Sequence, residues 1–312
     1  MAKFSMTQMT GVIPAMITLF DEHENVDVKR TREMVEFLIA RGANGLYLTG
    51  STGEGFLMDH EERKLVVETV VDQVNGRIPV IVHVGDIGTR KSIALAKHAE
   101  EAGADAISSV PPFYWKFSNE DIINYYRDIA ASTSLPMVIY SVPLAGSMGM
   151  DLIKRIAQLP NVKGLKFTSR EHDQMGCLKA DLGEDFIIYS GCDEMAMSGL
   201  SVGADGIIGS FYNVMPELFK KIYAAVKGND VKAARRLQQI GTEIILECVK
   251  YDYLALMRNM IGWQGVDAGF SRRPFRNYDD SELDGLKAFL LAIRDKYNVT
   301  DEEVCFFKGL AK

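Results

Sequence analysis

Pro79-Val80-Ile81-Val82-His83-Val84, the helical stretch Lys91 to Ala102, and Ala106-Ile107-Ser108-Ser109-Val110 follow one another directly along the chain. The first run is apolar at consecutive positions rather than alternate ones, which marks a strand covered on both faces. A strand of that kind returns to a parallel neighbour through a crossover helix, and Lys91 to Ala102 has the spacing for one. The unit is therefore strand, helix, strand.

Outward from this unit the same pattern recurs. Candidate strands lie at Gly11 to Thr18, Gly45 to Leu48, Pro79 to Val84, Ala106 to Val110, Met137 to Tyr140, Val162 to Phe167, Phe186 to Ser190 and Gly206 to Ile208. Helical signatures between them include Thr31 to Ala40, His60 to Gln73 and Asn119 to Ser132, the last opened by Ser118 as an N-cap. Strand and helix alternating through eight strands predict an α/β fold, a closed parallel (β/α)8 TIM barrel. A doubly wound sheet needs a glycine-rich phosphate turn after its first strand, and Phe20-Asp21-Glu22-His23 is not one.

Beyond the eighth strand, Glu217 to Lys227, Asp230 to Lys250 and Asp280 to Lys296 read as helices, with a loop rich in Gly and Arg from Gly262 to Arg276. The expected organisation is a catalytic barrel over residues 1–229 and a helical extension over 230–312, packed on it because no low-complexity linker intervenes.

The 312 residues suit one barrel of about 250 residues plus added helices. Hydrophobic residues at 47% and charged residues at 25% are those of a globular protein. The net charge of -7, with Lys and Arg scattered, argues against a nucleic-acid partner. No apolar stretch reaches the roughly 18 residues of a membrane span and no signal-peptide core follows Met1, so a cytoplasmic location is expected. Cys177, Cys192, Cys248 and Cys305 are far apart and read as free thiols, and neither they nor the five histidines form a metal motif.

Reactive groups in such barrels lie where strands end. After strand two stands Gly50-Ser51-Thr52-Gly53-Glu54, after four Pro111-Pro112-Phe113-Tyr114, and at five Tyr140-Ser141-Val142-Pro143. Lys166-Phe167-Thr168 ends strand six, Gly191-Cys192-Asp193-Glu194 follows seven, and Gly209-Ser210 follows eight. Lys166 closes an otherwise apolar run, where desolvation disfavours an ammonium ion. A neutral amine there can condense with a ketone, and the protonated imine is an electron sink for carbon–carbon cleavage. On its own a strand-end lysine is equally a partner for an acid. Two hydroxyls and several N–H groups at Ser51 to Gly53 suit a carboxylate, or merely satisfy their own turn. Tyr140 can shuttle a proton or simply pack, and Asp193 and Glu194 are surface acids unless their loop folds over the barrel mouth.

Taken together, Gly50-Ser51-Thr52-Gly53-Glu54, Tyr140-x-x-Pro143 and Gly164-Leu165-Lys166 resemble the dihydrodipicolinate synthase and N-acetylneuraminate lyase superfamily over the whole barrel. Pro112-Phe113-Tyr114 with Phe117-Ser118, Ser190-Gly191-x-Asp193-Glu194, and Gly203-Ala204-Asp205-Gly206 through Ile208-Gly209-Ser210 with Tyr212-Asn213 resemble its sialic acid lyase branch. The resemblance implies a class I aldolase that cleaves N-acetylneuraminate reversibly to pyruvate and N-acetylmannosamine. It implies that Lys166 forms the Schiff base with the pyruvate moiety and that Tyr140 is the proton donor and acceptor. Ser51 and Thr52 then hold the carboxylate, and Ser51 links Tyr140 to Tyr114 of a neighbouring subunit. Thr168, Gly191, Asp193, Glu194 and Ser210 line the site for the sugar hydroxyls. A homotetramer built as a dimer of dimers is implied, with no metal or organic cofactor, since the lysine imine is the electron sink.

Departures narrow the reading. Ser141 replaces the usual Asn, and Cys192 stands where sialic acid lyases often carry an aromatic. The synthase branch has an arginine two residues after Pro143 to bind a second carboxylate, whereas Leu144-Ala145-Gly146 follows here. Without that charge-assisted bond its substrate binds poorly. Another pyruvate-dependent aldolase of the superfamily, a 2-keto-3-deoxy sugar acid aldolase or a dihydrodipicolinate synthase, shares the imine chemistry and remains the alternative.

Overall fold

The computed structural model describes residues 2–310; the outer ends of the two predicted segments, residue 1 and residues 311–312, lie outside the described residues. Eight strands form one parallel sheet: β1 Gly11–Pro14, β2 Leu46–Leu48, β3 Val80–His83, β4 Ala106–Ser109, β5 Met137–Ser141, β6 Val162–Phe167, β7 Ile187–Ser190 and β8 Gly206–Gly209. The order runs β1-β8-β7-β6-β5-β4-β3-β2, and the bridge between Ala15 and Tyr47 brings the two ends of the sheet together. This is the (β/α)8 barrel that the alternating pattern predicts.

The crossover helices are α1 Val28–Ala40, α2 His60–Val74, α3 Thr89–Ala102, α4 Asn119–Ala130, α5 Met150–Ala157, α6 His172–Leu182, α7 Ala196–Ser201 and α8 Pro216–Lys227. Ser118 caps α4 as expected, accepting from Asp121 N at 3.2 Å, and Asp59 caps α2 from Glu62 N at 2.9 Å. After them come α9 Val231–Cys248, α10 Tyr253–Gly262, α11 Asp284–Tyr297 and the short α12 Phe307–Leu310. The sequence reading missed α10. Its residues are apolar almost all round, and Leu254 to Arg258, Met260 and Ile261 are buried, so it carries none of the polar–apolar alternation by which a surface helix is found.

Side chains along each strand alternate between two cores. Val12, Val80, Val82, Ile107, Met137 and Ile139 join the layer between sheet and helices. Their neighbours Ile13, Ile81, Ala106, Val138 and Tyr140 fill the barrel interior, with Met6 and Met9 among them. In β6 the outward set holds Leu165 and Phe167, and Lys166, paired in register with Tyr140, takes the inward phase between them.

Candidate functional site

The amine of Lys166 lies 4.0 Å from the centre of the Tyr140 ring and 4.5 Å from that of Tyr47. Tyr140 is on the neighbouring strand β5 and Tyr47 lies across the barrel on β2, so only an inward-pointing side chain reaches both. Lys166 is 4% exposed, and among the described residues no carboxylate pairs with it. The two phenol rings meet edge to face, with centroids 6.1 Å apart. Both present π-electron density to a cation at Nζ.

Tyr47 is fully buried, and its hydroxyl bonds to Ser108 Oγ at 3.0 Å. Burial, reinforced by Tyr140, holds its phenol well above the ordinary value, so the ring stays neutral. His83 closes the other side of Tyr140, edge-on at 6.0 Å. Burial first, then Arg63 and Lys166, push the imidazole well below its usual range. Val110 N donates to His83 Nε2 at 3.2 Å, which leaves the ring proton on Nδ1, 3.2 Å from Thr49 O. His83 is thus a neutral wall.

The turn after β2 carries Ser51 and Thr52. Ser51 lines a cavity of about 360 Å3 with Val110, Val142, Leu144, Tyr253 and Phe275. Thr52 Oγ1 meets Ser210 Oγ from beyond β8 at 2.6 Å, which joins two of the expected hydroxyls across the barrel mouth. Gly53 O accepts from Thr18 Oγ1 at 2.6 Å, and at Gly55 a Cβ would collide with Thr49 O. Glu54 follows at a left-handed φ of 54° and is fully buried under the turn. Its Oε1 accepts from Arg258 Nη2 at 2.6 Å and its Oε2 from Arg272 N at 2.9 Å. Burial raises the Glu54 carboxyl and lowers the Arg258 guanidinium, and each partner opposes the other's shift. Among the described residues no hydrogen bond joins Ser51 to Tyr140 or Tyr114. Tyr114 lies in the loop after β4, at φ 82°, edge-on to Trp115 and 82% exposed.

The turn after β7 does fold over the mouth. Asp193 is 6% exposed, its Oδ2 accepts from Phe211 N at 2.8 Å, and its Oδ1 has no partner. Burial pushes this carboxyl up to about 7, opposed by the Phe211 N–H and Lys166 and helped by Glu194. A Cβ at Gly209 would overlap the Asp193 carboxylate, and one at Gly191 would overlap Thr168 Oγ1. Those two glycines make room for the polar groups. Thr168 Oγ1 is buried without a hydrogen bond to the protein, and Tyr212 lies against the Asp193 carboxyl, close enough for each to act on the other's titration. Glu194 keeps its side chain 27% exposed, 3.8 Å from Arg170. Cys192 is buried, its Sγ donates to Ser169 O at 3.4 Å, and burial lifts the thiol to about 12, so it packs rather than reacts. Among the described residues no group of three His, Cys, Asp or Glu could hold a metal ion, and no helix is long and apolar enough to cross a membrane.

The sequence pattern of the Dihydrodipicolinate synthetase family matches residues 8–293. The chain belongs to that family. Among its relatives, an N-acetylneuraminate lyase of Rhizobium meliloti is 34% identical over 282 residues, covering 90% of this chain and 94% of the relative. An N-acetylneuraminate lyase of Escherichia coli is 38% identical over 283 residues, covering 89% and 92%. The solved structure of a catalytic-lysine mutant of Ruminococcus gnavus sialic acid aldolase superposes with a TM-score of 0.89 at 30% identity, covering 96% of this chain and 99% of that one.

Four residues beside this family's strand-end motifs escaped the sequence reading. Tyr47 and His83 belong to runs that are apolar on both faces, so nothing in the pattern tells which phase points inward. Tyr212 was quoted only as part of a motif. Tyr253 comes from α10, stacks on Phe211 at 6.1 Å, and is lifted to about 12 by burial with Asp193 and Tyr140 nearby. Its only sequence signal is a tyrosine at the start of an apolar helix.

Proposed function

We propose that this chain is an N-acetylneuraminate lyase, a carbon–carbon lyase that reversibly converts N-acetylneuraminate to pyruvate and N-acetylmannosamine. The reading is carried by one observation: an amine without an acid partner, enclosed in a barrel between two phenol rings. The names of the relatives support the substrate, and the lysine named as catalytic in the Ruminococcus gnavus enzyme supports the role of Lys166.

Lys166 Nζ attacks the C2 ketone of the open-chain sugar acid, water leaves, and a protonated imine forms. Tyr140 gives its phenol proton to the hydroxyl that leaves as water, and the resulting phenolate takes the proton of the C4 hydroxyl as the C3–C4 bond breaks and its electron pair moves into the imine to give an enamine. N-acetylmannosamine departs as the aldehyde. Tyr140 returns its proton to C3, and water hydrolyses the imine to pyruvate and free Lys166. Ser51 and Thr52 bind the carboxylate, and Ser51 passes protons between Tyr140 and Tyr114 of a neighbouring subunit. That assignment gives the exposed Tyr114 a use and makes the active form an oligomer, a homotetramer. Thr168, Gly191, Asp193, Glu194 and Ser210 receive the polyol. The barrel over residues 1–229 is the catalytic body, with 230–312 packed upon it, in a cytoplasmic enzyme of sialic acid catabolism.

The test is covalent capture. Incubation with pyruvate and borohydride is expected to add one reduced pyruvate to Lys166, found by peptide mass, and N-acetylneuraminate is expected to release pyruvate in a coupled assay. Lys166→Ala keeps the fold and loses turnover by about ten-thousand-fold or more. An unmodified Lys166 rejects the mechanism, and indifference to N-acetylneuraminate with capture intact rejects the substrate.

A further inference from the structure

The polyol side of the site is held in place from outside the barrel, by two side chains on one face of α9. Gln238 and Thr242 stand one turn apart on that helix. Gln238 Oε1 accepts from Met197 N at 2.8 Å, and Gln238 Nε2 donates to Asp193 O at 3.1 Å and to Thr242 Oγ1 at 3.2 Å. Thr242 Oγ1 donates in turn to Glu194 O at 3.0 Å. An N–H on one side and a carbonyl on the other fix which end of the Gln238 amide is oxygen. Met197 N is one of the first N–H groups of α7, which the helix itself leaves unpaired. Two side chains thus satisfy three backbone groups in the five residues that carry Asp193 and Glu194.

We infer that Gln238 and Thr242 are positioning residues for polyol recognition, acting through the backbone of residues 193–197 and giving α9 a part in the enzyme's specificity. The inference rests on the reading that Asp193 and Glu194 receive the sugar hydroxyls. The Asp193 carboxylate is tied to Phe211 N, so its loop is held by its side chain from the β8 end and by its backbone from α9. Releasing the backbone leaves one anchor, which lets both carboxylates drift relative to the imine. Gln238 and Thr242 touch the loop through its backbone, and imine formation with pyruvate alone does not use the sugar hydroxyls.

The experiment uses the full chain carrying Gln238→Ala, Thr242→Val or Gln238→Glu, with three readouts: kcat and KM for N-acetylneuraminate, the rate of borohydride-trapped pyruvate adduct on Lys166, and amide exchange across 193–197. Gln238→Ala is expected to lower kcat/KM for the sugar acid about ten- to a hundred-fold, mainly through KM, because small misplacements of binding groups are costly. Adduct formation keeps the wild-type rate, and exchange at 193–197 accelerates. Gln238→Glu keeps the acceptor for Met197 N but turns a second oxygen toward Asp193 O, so it falls between wild type and Gln238→Ala. Thr242→Val, which removes only one bond, is the mildest and covers the case in which Gln238→Ala does not fold. An unchanged KM, or an adduct rate that falls in parallel with kcat/KM, overturns the inference. A wild-type chain that traps pyruvate yet leaves N-acetylneuraminate intact overturns the substrate reading instead. Unaltered exchange at 193–197 in Gln238→Ala overturns the clamp itself, whatever the substrate.

Discussion

Two turns face each other across the barrel mouth, and they are built in opposite ways. The turn after β2 ends in Glu54, whose carboxylate is used on both oxygens by Arg258 and Arg272. The turn after β7 holds the Asp193 carboxyl by Phe211 N on Oδ2, with Tyr212 beside it, and Thr168 Oγ1 is buried against Gly191 without a hydrogen bond to the protein. A buried polar group without a hydrogen bond costs about 1–3 kcal/mol, so the first turn is locked through both oxygens of its carboxylate and the second is held less tightly. In the proposed function the first turn offers Ser51 and Thr52 to the keto acid, the part of the substrate that never varies, and the second receives the part by which one sugar acid differs from another.

The sharpest way to break this contrast is at the ion pair under the first turn. Arg258 is 4% and Glu54 0% exposed in their side chains, and for both groups burial is the largest influence on titration. The pair is therefore worth less to stability than its geometry implies, but breaking it strands a charge. Arg258→Met is expected to lose about 3–5 kcal/mol in urea unfolding, and adding Glu54→Leu to recover much of that. A single mutant within 1 kcal/mol of wild type, on the scale of exposed pairs, contradicts the picture of a locked turn.

The opposite turn answers to pH instead. The Asp193 carboxyl is pushed up by burial to about 7 from an ordinary 3.8, so the fold favours its neutral form. Its contribution to stability is complete below about pH 4 and is lost as pH rises toward 7, where the folded state must ionise a buried acid. Asp193→Asn removes that titration, and the difference in unfolding free energy between variant and wild type should shift by a few kcal/mol across this window. A difference that stays flat from pH 4 to pH 7 shows that Asp193 is ionised throughout, already satisfied, and that the two turns are alike after all.

How much of this was legible follows the same division. The barrel was readable because eight runs of consecutive apolar residues alternate with helical spacing, a signal every strand repeats. The strand-end groups were readable because polar residues stand where apolar ones would suffice. Lys166 lies over the Tyr140 ring, and Thr52 meets Ser210, at the strand ends where that logic looks for them. Contacts made between elements far apart in sequence were not readable. Nothing local to Glu54 announces Arg258, 204 residues away, and nothing in Gln238 announces the carbonyl of Asp193. Tyr47 was hidden for a different reason, since a run buried on both faces has no polar phase to say which residues look inward.

The smallest expected effect is the most discriminating, because it runs in two directions at once. Thr168 Oγ1 is buried and unpaired, pressed toward Gly191, where even one methyl would not fit. Thr168→Val exchanges this buried hydroxyl for a methyl of similar size and should raise stability by about 1 kcal/mol. In the proposed function this hydroxyl bonds the sugar, so the same change should raise KM for the sugar acid about five- to tenfold while pyruvate capture on Lys166 is unaffected. Thermal unfolding and steady-state kinetics on one variant measure both. A variant both weaker in binding and less stable means that the hydroxyl is satisfied before the substrate arrives. A variant more stable with KM unchanged means that the polyol never reaches β6, and the sugar must then lie against β7 and β8 alone.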